Sequence, residues 1–145
     1  EGFTTYLHAD VREPETIIAG AREHLDFDQP IAVMLLGILG HAAPAFETMC
    51  DLVDRLMAAV PPGSYLVLLD GVDIDPVYRE GARRQAELGH PYQLRSPEQF
   101  AQCLAGLELV APGLVPATTW RPAIPTGAPE HNDAYVAVGR KPADG

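Results

Sequence analysis

The sequence has no Gly-rich phosphate turn: no G-x-G-x-x-G follows a strand-like run. This argues against a nucleotide gripped by its phosphates. No apolar run reaches the roughly 18 residues of a membrane span. No basic n-region followed by an apolar h-region opens the chain, so no signal peptide is visible. Basic residues are few: 10 Lys and Arg stand against 20 Asp and Glu, a net charge of −10. Neutralising a nucleic-acid backbone needs clustered Lys and Arg, so nucleic acid is not the expected partner. A small cationic ligand is compatible with that charge. The two cysteines, Cys50 and Cys103, stand far apart and lack metal-ligand spacing. They read as reduced core residues, and the compartment reads as cytoplasm. His8, His24, His90 and His131 show no ligand spacing either, so no metal site is expected. Internal repeats and low-complexity segments are also lacking.

What is present suits one globular domain over residues 1–145, 47% hydrophobic and 21% charged. It is organised around Pro30-Ile31-Ala32-Val33-Met34-Leu35-Leu36-Gly37-Ile38-Leu39-Gly40-His41. Ile31 to Leu36 are apolar without alternation, which predicts a strand buried on both faces, as in the middle of a parallel sheet. Pro30 and Gly37 leave too little room for a buried helix. The loop Gly37 to His41 then lies at the strand's C-terminal end, the edge where open α/β sheets bind ligands.

Along the chain, Phe3 to Ala9 is rich in β-branched and aromatic residues and predicts a strand. Pro14 opens a helix to about Leu25, with Ile17, Ile18, Ala21 and Leu25 at helical spacing. Phe46, Met49, Cys50, Val53, Leu56, Met57 and Val60 form an amphipathic stripe on a helix over about 44–60, in which both methionines are core filler. Tyr65 to Leu69 is another continuous apolar strand, ending at Asp70-Gly71. Asp75-Pro76 caps a helix to about Leu88, whose Arg79, Arg83 and Arg84 form a solvated face. Ser96-Pro97-Glu98-Gln99 is a capping-box start, after which Phe100, Cys103 and Leu104 point inward. Leu107 to Val110 and Ala134 to Gly139 are strands, Val115 to Trp120 continues the first after a bend, and Ala123 to Asn132 is a loop. The order β-α-β-α-β-α-α-β-β predicts a parallel, doubly wound sheet. The last two strands can pair as an antiparallel hairpin at one sheet edge.

A parallel sheet ending in an antiparallel strand resembles the S-adenosylmethionine-dependent methyltransferase fold, and local residues strengthen the likeness. Tyr6-Leu7-His8-Ala9-Asp10-Val11-Arg12-Glu13-Pro14 resembles the A-D-L-R-D-P segment after the third strand of a methyltransferase-like family found mainly in actinobacteria. Gly37 to His41 resembles that family's loop after strand four, and Pro62 to Leu68 its fifth strand. Leu94 to Gln99, Gly106 to Gly113, Trp120-Arg121-Pro122 and Val138 to Pro142 resemble its C-terminal part. The family's Gly-rich turn and preceding strands have no counterpart here. The resemblance therefore implies the C-terminal part of a Rossmann-like methyltransferase domain, and the opening on Glu1 rather than Met fits a piece of a longer protein.

The resemblance implies roles that compete with simpler ones. Asp10 would accept from the adenine amino group of S-adenosylmethionine or S-adenosylhomocysteine, with the Val11 N–H meeting a ring nitrogen; alternatively Asp10 is a helix-start acid. Gly37, Ile38 and Leu39 would line the cofactor, or simply make the strand-to-helix turn. His41 is a candidate base for an acceptor's proton, or a surface histidine. Asp70 faces substrate or caps the following loop. Tyr92 and Trp120 line a substrate pocket or belong to the core. The expected partners are the cofactor and a small-molecule acceptor of unknown identity. The rival is a non-catalytic Rossmann-like module that associates with itself or another chain through an exposed sheet edge.

Overall fold

The two uninterrupted apolar runs do become neighbouring strands. The structure, a computed structural model, describes residues 3–124 and 133–143. β1 (Ala32–Leu36) pairs in parallel with β2 (Tyr65–Gly71), in register from Ala32 opposite Tyr65 to Leu36 opposite Leu69. β5 (Ala134–Arg140) pairs antiparallel along the whole of β2. Its other side carries two short strands, β3 (Glu108–Leu109) and β4 (Val115–Pro116), both antiparallel to it. Four described strands thus run one way and β5 alone the other. The fold is a Rossmann-like methyltransferase arrangement, and its last strands pair antiparallel at one edge of the sheet as expected, with β5 between β2 and the short outer strands. Two ladders satisfy its backbone, which suits a strand with Val136 and Ala137 buried.

Helices come where the start signals put them. Pro14 opens α1 (Pro14–Arg22), which stops short of Leu25. Asp75 caps α4 (Pro76–Glu87) by accepting from the Val77 N–H at 2.8 Å. Ser96 and Gln99 close a reciprocal capping box on α5 (Pro97–Cys103). The long amphipathic helix is α3 (Phe46–Ala58), which buries Met49, Val53, Leu56 and Met57 of the expected stripe, and Leu52 besides. With Val60, Phe100 and Leu104 these side chains pack on Leu35, Leu66, Leu68 and Ala137 of the sheet. One turn that the sequence reads as loop is helical: α2 (Leu39–Ala42), joined to β1 through Gly37 and Ile38.

Three expectations fail. Phe3 to Ala9 has no regular structure and joins no ladder: Phe3 and Tyr6 are exposed, and Leu7 packs on Gly20 of α1 instead. High β-propensity makes no strand without a partner edge. β1 is not buried on both faces either. Leu35 is 6% exposed, yet Met34 is 57% and Leu36 54% exposed on the opposite face. Finally, Cys50 on α3 and Cys103 on α5 are joined as a disulfide, their Cα atoms 4.9 Å apart. Side-by-side packing of the two helices brings together residues separated by 53 positions, which no local spacing reveals. With the pair bonded, cysteine usage no longer points to a reducing compartment. Among the described residues, no helix is long and apolar enough to cross a membrane.

Candidate functional site

The loop after β1 and the end of β2 make one hydrogen-bonded unit. Gly37 takes a left-handed φ of +72°, which a residue without Cβ adopts at no steric cost, and its N–H donates to Leu69 O at 2.7 Å. Ile38 caps α2 with backbone only, so the first N–H groups of the turn need another acceptor. Asp70 supplies it. Its Oδ2 accepts from the Leu39 and Gly40 N–H groups at 2.8 and 3.2 Å. Its Oδ1 accepts from the Gly71 N–H at 2.9 Å and from the Tyr92 hydroxyl. Asp70 is 2% exposed. Burial pushes its carboxyl up from the ordinary range, while the three backbone N–H groups and nearby His41 oppose that. With both oxygens engaged, Asp70 holds the preceding loop to its own strand rather than facing solvent.

Tyr92 closes this unit from the other side. It lies on the stretch that returns past the sheet edge and bridges β2's end in parallel, Arg95 opposite Val72. Its ring covers two glycines. A Cβ on Gly40 would come within 2.4 Å of the ring, and one on Gly71 within 2.8 Å. The Gln93 N–H donates to Gly40 O at 2.7 Å, fixing the same contact through backbone. His41 meets the Tyr92 ring edge to face, centroids 4.7 Å apart at 82°. His41 Nδ1 lies 3.2 Å from the Pro91 carbonyl oxygen. A carbonyl only accepts, so Nδ1 carries the proton, and in the neutral ring Nε2 keeps its lone pair.

Asp10 sits apart from that unit and is already engaged. The Arg12 side chain spans both its oxygens, and the Arg12 N–H donates to Oδ1 at 2.9 Å. The Arg12 hydrogen bonds hold this exposed carboxyl down at about 2. Val11, next to it, is half-buried. It lines an apolar cavity of about 710 Å³ together with Ile38, Leu36 and Met34. The structure therefore brings Val11 to the loop after β1, while the Asp10 side chain turns to Arg12. Trp120 follows β4 and meets the Arg121 guanidinium 5.6 Å from its ring. It lines neither this cavity nor the surroundings of His41. His131 lies outside the described residues, as does most of the loop expected at Ala123 to Asn132. Among the described residues, no three His, Cys, Asp or Glu side chains converge as metal ligands.

Sequence reasoning missed Arg95, which is 6% exposed. Its Nη2 donates to Ala43 O at 2.7 Å and its Nη1 to Leu94 O at 3.3 Å, while Nε has no partner among the described residues. Burial lowers its pKa, and the charges of Asp70 and Glu47 oppose the shift. An arginine just before a Ser-Pro helix start reads as a loop charge, and no local signal marks it as buried.

No curated protein matches the chain. Two solved structures match closely. One is a candidate methyltransferase from Thermobifida fusca YX, with TM-score 0.83 and 33% identity, the match covering 93% of this chain and 53% of that one. The other is a DUF574 family protein from Streptomyces avermitilis MA-4680, with TM-score 0.83 and 30% identity over 94% of this chain and 55% of that one. The chain thus spans about half the length of these relatives. The S-adenosyl methyltransferase family profile matches residues 1–142, nearly the whole chain. The chain belongs to the S-adenosyl methyltransferase family.

Proposed function

We propose that the chain serves S-adenosylmethionine-dependent transfer of a methyl group to a small-molecule acceptor, with the cofactor at the C-terminal end of β1. The observation that carries this reading is that Val11 and Ile38 line one apolar cavity, which runs along β1 from Ile31 to Leu36 and reaches that end. Its volume, about 710 Å³, suits a small organic ligand. At Gly37 a Cβ would meet nothing within 4 Å, so the turn leaves open space beside the cavity. These residues fit the adenine ring of the group, whose charged sulfonium and amino-acid end would lie outside the apolar lining.

When bound, the sulfonium supplies an electrophilic methyl, so the cofactor brings the reactive chemistry. The protein's part is alignment and exclusion of water. Val11 and Ile38 would hold the adenosine by apolar contact, with Gly37 and Leu39 shaping the turn. Asp10 would accept from the adenine amino group by giving up part of its hold on Arg12. His41 Nε2 would take the acceptor's proton. Asp70 and Tyr92 act as positioning residues for α2, and no contact draws Trp120 into this role. Calorimetric titration with S-adenosylhomocysteine tests the reading. Binding by the chain that Asp10→Ala weakens at least tenfold supports it; absence of binding counts against cofactor capture by this polypeptide.

A second reading, association through the sheet edge, has its own observation. β1 has one described neighbour, and Met34 and Leu36 expose more than half their surface beside the exposed Tyr6 and Leu25. Bare edges with apolar flanks invite pairing. Sedimentation equilibrium should then give a mass above 15.6 kDa that Met34→Glu/Leu36→Glu returns to the monomer; a monomeric native chain removes self-association.

A further inference from the structure

We infer that a second cavity, between α4 and the His41–Tyr92 pair, is the acceptor site, and that its acceptor is a planar compound bearing a phenol-like hydroxyl. The inference rests on the methyl-transfer reading and names the substrate class for it. The cavity holds about 440 Å³, and four rings line it: His41, Tyr78, His90 and Tyr92. Flat walls of this kind suit a flat ligand, which they grip by stacking and edge contacts. The lining contains no Lys, Arg, Asp or Glu. The site is open to water at His41, Gly81, Gln85 and His90, so its rings rather than a fixed charge select the ligand. Gln85 and the Tyr78 hydroxyl remain as neutral hydrogen-bonding groups. Burial, with Asp133 and Asp70 near, raises the Tyr78 phenol, so it stays a protonated donor. The Tyr92 hydroxyl is committed to Asp70, so Tyr92 offers its ring alone.

The cavity also stands in the right place. Ile38 lines the apolar cavity and His41 lines this one, three residues further on, so the chain around the start of α2 borders both. His41 presents Nε2, because Nδ1 is held by the Pro91 carbonyl. An imidazole is matched as a base to a phenol, whose acidity is near that of tyrosine at about 10, and poorly matched to an aliphatic alcohol. In the step, the oxygen–methyl bond forms as the methyl–sulfonium bond breaks. The electron pair leaves on sulfur, and the hydroxyl proton passes to His41 Nε2.

Gly81 adds an independent sign. It lies inside α4, where glycine costs about 0.5–1 kcal/mol against alanine. Neither a left-handed φ nor a close neighbour requires it, since a Cβ there would meet nothing within 4 Å. It lines the cavity, so the missing side chain leaves room.

The test uses 7-hydroxycoumarin as the probe, followed by its fluorescence, beside calorimetry with S-adenosylhomocysteine. The native chain should bind the probe. Gly81→Leu should weaken that binding at least tenfold and leave S-adenosylhomocysteine affinity within twofold. Replacing the probe by 7-methoxycoumarin, which has no proton to give, should abolish turnover while binding persists. His41→Ala should lower methylation of the probe by about 100-fold or more, the usual worth of a general base. If S-adenosylhomocysteine binds but 7-hydroxycoumarin does not, or Gly81→Leu leaves probe binding unchanged, the acceptor site is overturned while the methyl-transfer reading stands. If the probe binds in a Gly81-sensitive way and S-adenosylhomocysteine does not bind, the cavity is supported as a phenol site and methyl transfer is overturned.

Discussion

Replacing Gly40 by alanine asks how firmly the Tyr92 ring is wedged at the sheet edge. The new methyl would lie 2.4 Å from Tyr92 Cζ, with Cε2 and Cε1 at 2.6 and 2.7 Å, so the ring must retreat. Gly71 limits the retreat on its side, where a Cβ would stand 2.8 Å from Cε1. Retreat also pulls the Tyr92 hydroxyl from Asp70 Oδ1, which then keeps only the Gly71 N–H. Overpacking costs about 1–3 kcal/mol. The lost hydrogen bond costs about 0.5–1.5 kcal/mol more, since Asp70 Oδ1 keeps the Gly71 N–H. Alanine returns about 1 kcal/mol of helix propensity in α2. The net loss should be about 0.5–3.5 kcal/mol, centred on about 2 kcal/mol or roughly 7 °C in Tm for a domain of this size. Urea unfolding followed by the fluorescence of the single tryptophan, Trp120, measures it directly. Gly81→Ala is the control: its methyl meets nothing, so it should stabilise by about 0.5–1 kcal/mol. If Gly40→Ala unfolds at the native urea midpoint, the ring is not wedged, and the positioning of His41 by Tyr92 fails with it.

Reduction of the Cys50–Cys103 bond frees a 53-residue separation, and the loop-closure estimate puts the loss at about 4 kcal/mol. A Tm unchanged by dithiothreitol would contradict the pairing of α3 and α5. Asp10 should titrate at about 2 by carbon-detected NMR, and Arg12→Ala should return it to the ordinary carboxylate range. Because the folded-state value is depressed, the Asp10–Arg12 contribution is fully present above the unfolded carboxylate range and fades as pH falls toward about 2. A midpoint near 4 in the native chain would show the pair to be open in solution. Asp70→Asn should destabilise by about 2 kcal/mol, since an amide NH₂ would face donors that the carboxylate accepts from; unchanged unfolding would remove Asp70 from its holding role.

Much of this architecture is written locally. The Ser96–Gln99 capping box and the Asp75-Pro76 start are short-range signals with a short-range cause, and the structure reproduces both. The α3 stripe is likewise a matter of spacing along one helix. β1 and β2 were legible as strands because unbroken apolar runs between Pro and Gly leave little else. What surrounds them was not. Burial of both faces of β1 depends on neighbours that a run of residues does not encode, and Met34 and Leu36 stay exposed for that reason. Phe3 to Ala9 has strand chemistry without a strand partner. The Cys50–Cys103 bond and the burial of Arg95 arise from contacts between distant segments. Asp70 is the instructive case. Its place at the end of a strand marked it as a candidate, but its role follows from a loop 30 residues earlier and a tyrosine 22 residues later.

The claim that the cofactor lies at the C-terminal end of β1 is tested most directly by amide chemical-shift mapping of the labelled chain with S-adenosylhomocysteine. The account predicts saturable shifts centred on Val11 and on Gly37 to Leu39, with smaller effects at Met34 and Leu36. Shifts confined to other parts of the chain, or none at saturating ligand, would contradict it.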